Sequence, residues 1–217
     1  MKKIYLLLLF LIVVATQAQV RNYTKKSSST TPAQYTSNRV AKTKGSSGKN
    51  GNAEQYVILG GLQYSTEKGD NLSYNTARSG FAVGIGILGN SNKPFSLELD
   101  VLYATMGAEF EGFKDDLTYA QMPILFNYSL NKSGFKIGIG PQIGILTGAK
   151  INGEDYDYEE SLRGFDAGVV LNGAIPFSSK IGMNVRYYYG LTNINKYTDG
   201  EFSVYNRAFY AGLYVKI

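Results

Sequence analysis

The chain has 217 residues, of which 25 are Gly, 18 Tyr and 11 Phe, a usage that favours strands and tight turns over helices and fits one β-domain. It has no Cys, which excludes disulfides, thiolate metal sites, Cys nucleophiles and a lipid-modified N-terminal Cys, and no His, which removes the commonest general base and metal ligand. The net charge of +5 is unevenly spread: nine of the 22 basic residues lie before Glu54, where there is no acid, so the remainder carries 13 positives against all 17 acids.

In chain order, Met1, Lys2 and Lys3 form a basic start, Ile4 to Ala15 an apolar run, and Thr16-Gln17-Ala18 a cleavage site. Together they predict an export signal over residues 1–18. The run of twelve is too short to span a bilayer as a helix, which takes about 20 residues. Residues 19–54 are rich in Ser, Thr, Lys, Asn and Gly, with almost no aliphatic side chains. Such a segment buries too little apolar surface to order itself, and it predicts a disordered basic tail. A basic tail suits nucleic acid or an anionic surface, but in an exported chain a solvated tether explains it with less, and no nucleic-acid partner is expected.

From residue 55 onward the pattern becomes regular. Strands are predicted at Gln55 to Tyr64, Arg78 to Leu88, Pro94 to Met106, Leu117 to Leu130, Gly134 to Leu146, Gly164 to Ile175, Lys180 to Leu191 and Val204 to Ile217. The connections alternate in length, from the long Ser65 to Ala77 to the short Gly89 to Lys93 and so on to the end. Long connections on one rim and short turns on the other mark an up-and-down barrel.

Successive strand side chains point to opposite faces, so each strand sorts its residues into two sets. In Pro94 to Ala104 the set Phe95, Leu97, Leu99, Val101 and Tyr103 is apolar, while Ser96, Glu98 and Asp100 share the other face. The same split recurs, with Phe81, Val83, Ile85 and Ile87 apolar on one strand, and with Lys136, Asp166 and Arg186 among the polar sets. Alternation alone does not tell a soluble core from lipid. Three features favour lipid: apolar runs of about ten residues, the length suited to tilted membrane strands; tyrosines near strand ends, where an interfacial girdle sits (Tyr56, Tyr64, Tyr103, Tyr119, Tyr128, Tyr187, Tyr189, Tyr205); and the export signal. Against them stand the absence of Trp and the position of Arg207 on the outer face.

The reading is therefore all-β, an eight-stranded antiparallel up-and-down transmembrane β-barrel over residues 55–217. Its lumen is about wide enough for side chains to fill. A structural ion network of Glu98, Asp100, Lys136, Asp166 and Arg186 is expected there, with glycines such as Gly84, Gly86, Gly138 and Gly140 leaving room.

The segments Y-A-Q-M-P-I-L-F-N-Y (Tyr119 to Tyr128), G-I-G-P-Q-I-G (Gly138 to Gly144), G-F-D-A-G-V-V-L-N-G-A (Gly164 to Ala174) and R-Y-Y-Y-G-L-T-N-I (Arg186 to Ile194), with the closing strand, resemble the PorT-like outer-membrane β-barrel family. The resemblance spans roughly Gln55 to Ile217. It implies an eight-stranded barrel of the bacterial outer membrane, whose named member serves type IX protein secretion. The last strand, Y-A-G-L-Y-V-K-I, resembles the C-terminal signal read by the barrel-assembly machinery, through Tyr210, Gly212, Val215 and Ile217, but ends in Ile217 with Val215 where aromatics are usual.

Other motifs carry less. Gly84-x-Gly86-x-x-Gly89 matches a dinucleotide fingerprint but is followed by neither helix nor acidic ribose partner. The acidic stretch Glu154 to Glu160 lacks the spacing of a calcium loop and reads as a solvated loop. Asp100 or Asp166 with Arg186 could be read as catalytic, but a structural lumen pair explains them better. No catalytic residue, cofactor or metal site is assigned. The expected function is that of a non-enzymatic structural or assembly partner in the cell envelope, touching outer-membrane lipid, the barrel-assembly machinery and envelope or secretion proteins. The rivals are a component of type IX secretion, a His-free barrel enzyme acting on lipid or peptide, and a small-solute porin, which the small strand count disfavours.

Overall fold

Every second residue in the long runs is apolar, and the connecting segments are too short or too polar for helices, so the chain can satisfy its backbone only by pairing each strand with the next. The computed structural model describes residues 54–69, 75–89, 93–110, 112–130, 134–158, 161–196 and 203–217. The export signal and all but the last residue of the basic tail lie outside these. The strands are β1 (Gln55–Gly69), β2 (Asn75–Gly89), β3 (Phe95–Met106), β4 (Ala108–Phe110), β5 (Phe113–Ser129), β6 (Lys136–Ile151), β7 (Glu154–Asp155), β8 (Phe165–Pro176), β9 (Ile181–Gly190) and β10 (Val204–Lys216).

Eight of them form a closed antiparallel wall. β1 pairs β2, β2 pairs β3, β3 pairs β5, β5 pairs β6, β6 pairs β8, β8 pairs β9 and β9 pairs β10. β10 returns to β1 through thirteen rungs, from Val57↔Lys216 to Gly69↔Val204, and leaves no edge. The short β4 and β7 lengthen the wall at the rim of the long connections, β4 lying between β2 and β5 and β7 folding back on β6.

The wall is taller than the apolar pattern predicts. β1 runs to Gly69 rather than Tyr64, β2 begins at Asn75 rather than Arg78, and the expected connection Gly107 to Asp116 is mostly a hairpin of β4 and β5. Beyond Tyr64 neither face of β1 is apolar, so the alternation fades from the composition while the ladder to β10 continues. At the start of the hairpin Gly107 has φ of 151°, and a Cβ there would run into the Asp115 carbonyl. Its N–H donates to Ser65 Oγ at 2.8 Å, and that hydroxyl donates to the Gly107 carbonyl at 3.0 Å. The glycine thus lets the strand kink and continue.

The two faces are inverted with respect to a soluble protein. Leu62 and Phe126 are each 61% exposed, whereas Asp100 is 0%, Asn206 1% and Arg186 4% exposed. A soluble barrel buries its apolar set, so an apolar outside around a charged inside fits only a hydrocarbon surround. Tyr119, expected in the outward girdle, is buried inside. It shares parity with Gln121 and Asn127, and parity rather than nearness to a strand end decides the face. The interior tyrosines need space: Tyr214 lies over Gly182 and Tyr210 over Gly212, where any side chain would collide with the ring.

Candidate functional site: the filled lumen

The strand order places β3 and β9 on opposite sides of the barrel, so inward residues of these two strands meet only across the bore. Arg186 on β9 crosses it, with Nη2 2.8 Å from Glu98 Oε1 and 2.7 Å from Asp100 Oδ2 on β3. Two asparagines complete a ring. Arg186 Nε donates to Asn172 Oδ1 on β8 at 3.3 Å, Asn172 Nδ2 donates to Asn127 Oδ1 on β5 at 3.0 Å, and Asn127 Nδ2 donates to Glu98 Oε2 at 2.8 Å. Four strands are tied by one circuit of hydrogen bonds in a region of low dielectric, where a lost partner is costly. Arg186 Nη1 and the Tyr210 hydroxyl, which have no hydrogen-bond partner among the described residues, border a cavity of about 20 Å³.

The other two charges of the expected network, Asp166 and Lys136, make none of the ring's hydrogen bonds. Asp166 belongs to a separate group nearer the long connections, where Asn206 Nδ2 donates to its Oδ2 at 2.8 Å and lies 3.2 Å from the Tyr119 hydroxyl. Lys136 sits at the mouth beside the short turns, 3.4 Å from Ser96 Oγ, and shares a cavity of about 40 Å³ with Glu98, Tyr214 and Lys216. The single network expected from the sequence is thus three groups along the bore. The strands tilt, so residues of one parity rise to different heights.

At the rim of the long connections the bore is stoppered by apolar side chains. Ile194, 1% exposed, packs with Met106, Leu117, Tyr119, Leu146 and Tyr188, and Tyr158, Leu162 and Val204 lean against this cluster. The two connections that supply it hold each other: Leu162 bridges Asn195, Arg163 N–H donates to the Ile194 carbonyl at 2.8 Å, and Ile194 N–H donates to the Val204 carbonyl at 2.8 Å. The sequence reading missed Ile194. The available signal was a lone aliphatic residue inside the polar stretch T-N-I-N-K.

Beyond the apolar belt, Arg78 pairs with Asp116 at 2.7 Å. Burial and the neighbouring Asp116 raise the Asp115 carboxyl above the usual range, with Arg78 opposing them. The exposed Asp155 pairs with Lys150 at 3.3 Å. Among the described residues no three acidic side chains gather as a metal site, and Glu159 and Glu160 of the acidic stretch lie outside them.

Among the described residues a polar ring and an apolar stopper lie in series along the bore. In a planar bilayer the full chain is expected to give no stepwise channel currents, and steady openings of porin size would show that the stopper is not closed in lipid.

A family model described as outer membrane protein beta-barrel domain matches residues 33–196. The chain belongs to this family. Among the solved structures this outer-membrane barrel is similar to neisserial surface protein A, at 13% identity and a TM-score of 0.54, covering 75% of this chain and 97% of that one. It is also similar to the attachment invasion locus protein Ail of Yersinia pestis in complex with a heparin analogue, sucrose octasulfate, at 14% identity and 0.47, covering 76% and 99%. OprG from Pseudomonas aeruginosa follows at 12% and 0.42, covering 76% and 97%. No curated protein matches the chain. At 13% identity neisserial surface protein A speaks for the fold alone, and the family together with the closed wall makes this chain an eight-stranded barrel of the bacterial outer membrane.

Proposed function

We propose that this outer-membrane barrel is a non-enzymatic structural or assembly partner in the cell envelope, that its long connections face outward, and that its termini lie in the periplasm. The observation that carries the reading is the filled bore. Among the described residues Arg186 is tied to two carboxylates across the bore and Ile194 packs into the rim, so side chains fill the interior, and the rims are where a partner can touch. The orientation follows from the rule that short turns in such barrels face the periplasm. The ends of β1 and β10 share the rim of the short turns, since Ile217 N–H donates to the Tyr56 carbonyl at 3.0 Å and Lys216 N–H to the Lys180 carbonyl at 2.7 Å. The finer reading, a component of type IX protein secretion, is supported by the resemblance of Tyr119 to Tyr128 and Arg186 to Ile194 to the PorT-like family. In the same reading the barrel-assembly machinery recognises β10 through Tyr210, Gly212, Val215 and Ile217.

Two measurements test this. In the Cys-free chain, Glu154→Cys in the exposed β7 hairpin is expected to react with an impermeant maleimide on intact cells, and Ser179→Cys in a short turn only after the outer membrane is opened. Equal labelling of both sites on intact cells overturns the orientation. Purification from native membranes in mild detergent is expected to bring fixed envelope partners, and a barrel recovered alone in every preparation overturns the partner role.

A further inference from the structure

Arg207 is a cation on the lipid-facing side of β10. It shares outward parity with Tyr205, Phe209 and Leu213, pairs across the seam with Thr66 of β1 and stands opposite Tyr189 of β9. Phe209 and Tyr64, the next rung toward the middle of the wall, are exposed members of the apolar belt, so Arg207 occupies the first rung beyond it. An ionisable side chain at such a depth is costly unless it has a partner, and it marks a functional position.

The local geometry fixes how the guanidinium is presented. Its Nη1 donates to the Gly190 carbonyl at 2.7 Å and to the Asn206 carbonyl at 2.8 Å, which anchors one end to the strand backbone. Its central carbon lies 3.5 Å from the centroid of the Tyr189 ring and 5.9 Å from that of Tyr205. The group is therefore stacked and held on the wall. Its Nε and Nη2 have no acceptor among the described residues. These two atoms form the planar edge that matches two oxygens of one phosphate or carboxylate. One rung further out, Lys68 is exposed on the same outward face of β1, opposite Tyr205, and joins no ion pair among the described residues.

We propose that Arg207 and Lys68, framed by Tyr189 and Tyr205, form a site on the outside of the barrel, across the β1–β10 seam, for the phosphate of an anionic membrane lipid. The stacked edge of Arg207 binds two phosphate oxygens and Lys68 adds a second positive charge. The acyl chains run down the apolar face past Phe209, Leu62 and Leu213, all exposed there. The tyrosines suit the headgroup level, where one end of the ring is wet and the other apolar. The occupant is a lipid rather than a free anion because the pair faces the headgroup layer and stands directly above the hydrocarbon belt. The site does not depend on which rim faces outward.

The full chain is reconstituted in phosphatidylcholine vesicles containing a minor fraction of phosphatidic acid, which carries a singly esterified phosphate. It is then extracted in mild detergent, and retained lipid is counted by native mass spectrometry. The parent is expected to retain phosphatidic acid above its share of the vesicle, and Arg207→Gln and Lys68→Gln each to weaken that enrichment about fivefold. Arg207→Lys, which keeps the charge and loses the planar edge, falls between. Lys180→Gln at the opposite rim keeps the parent's enrichment. Lys68 is exposed, so its variant folds whatever Arg207 contributes to the wall. No enrichment in the parent, or equal loss in the Lys180 variant, overturns the site. Inorganic phosphate protecting the detergent-held protein against heat as well as phosphatidic acid does would make it a free-anion site. A drop in melting temperature for Arg207→Gln in pure phosphatidylcholine as large as that with phosphatidic acid would mean that Arg207 serves a protein acceptor, such as Asp199 or Glu201 in the adjoining connection, and overturns it as well.

Discussion

Arg186→Leu is expected to lower the stability of the folded barrel by about 3 kcal/mol, read as a lower urea concentration at the unfolding midpoint in lipid vesicles. The guanidinium bridges Glu98 at 2.8 Å and Asp100 at 2.7 Å, and Asp100 is fully buried. Removing the cation leaves two like charges facing each other in a bore with little water, and it also strips Asn172 Oδ1 of its donor. Arg186→Lys is expected to cost less, since the charge is kept, but a single ammonium does not reproduce the fork that reaches both carboxylates and Asn172. Adding Glu98→Gln and Asp100→Asn to Arg186→Leu recovers much of the loss, because the penalty is that of unpaired charge rather than of volume. If Arg186→Leu unfolds at the parent's midpoint, the ring across the bore does not hold the wall together.

Ile194→Ala has its effect elsewhere. Its side chain is shared between the barrel interior and two surface connections, so truncating it removes buried methyl groups without touching a strand. The cost is about 2 kcal/mol. Because the connection can open while the barrel stays closed, that energy appears as local opening. A limiting protease is expected to cut within residues 191–203 roughly thirty times faster than in the parent, since this is the population change that such an energy makes. The midpoint of barrel unfolding hardly moves. Leu191→Ala, on the exposed outer face, leaves the cutting rate as it was. Cutting of Ile194→Ala at the parent's rate would mean that the hydrogen bonds of Arg163 and Val204 to Ile194 hold the stopper without its side chain.

The strand count and the inside–outside sorting were legible because the period of a strand is two and the apolar set is uninterrupted from Phe81 to Ile87 or from Phe95 to Leu99. What faded was the rim. Ser65, Thr66, Glu67 and Lys68 continue β1 with polar residues on both faces, so composition resembled a loop while backbone pairing to β10 went on. In the lumen, the pairing of Arg186 with Glu98 and Asp100 followed from parity and from the cost of an unpaired charge, whereas the places of Lys136 and Asp166 along the bore depend on the tilt of the strands. Asn127 and Asn172 looked like ordinary polar lumen residues until that geometry joined them. Tyr119 was misplaced by treating proximity to a strand end as exposure. Ile194 was overlooked because no periodic pattern surrounds it.

The seam between β1 and β10 also bears on how the molecule comes into being. Each other neighbouring pair in the wall joins long strands that follow one another along the chain, whereas the seam joins Val57 to Lys216 and Gly69 to Val204, the first strand to the last. Until the final strand exists, one side of β1 and one side of β9 carry rows of backbone donors and acceptors with nothing to bind, which hydrocarbon does not tolerate. A growing chain therefore gains nothing by entering the bilayer hairpin by hairpin. Completion and entry are one event, and an earlier stop leaves a sheet that must stay in water or be held by another protein.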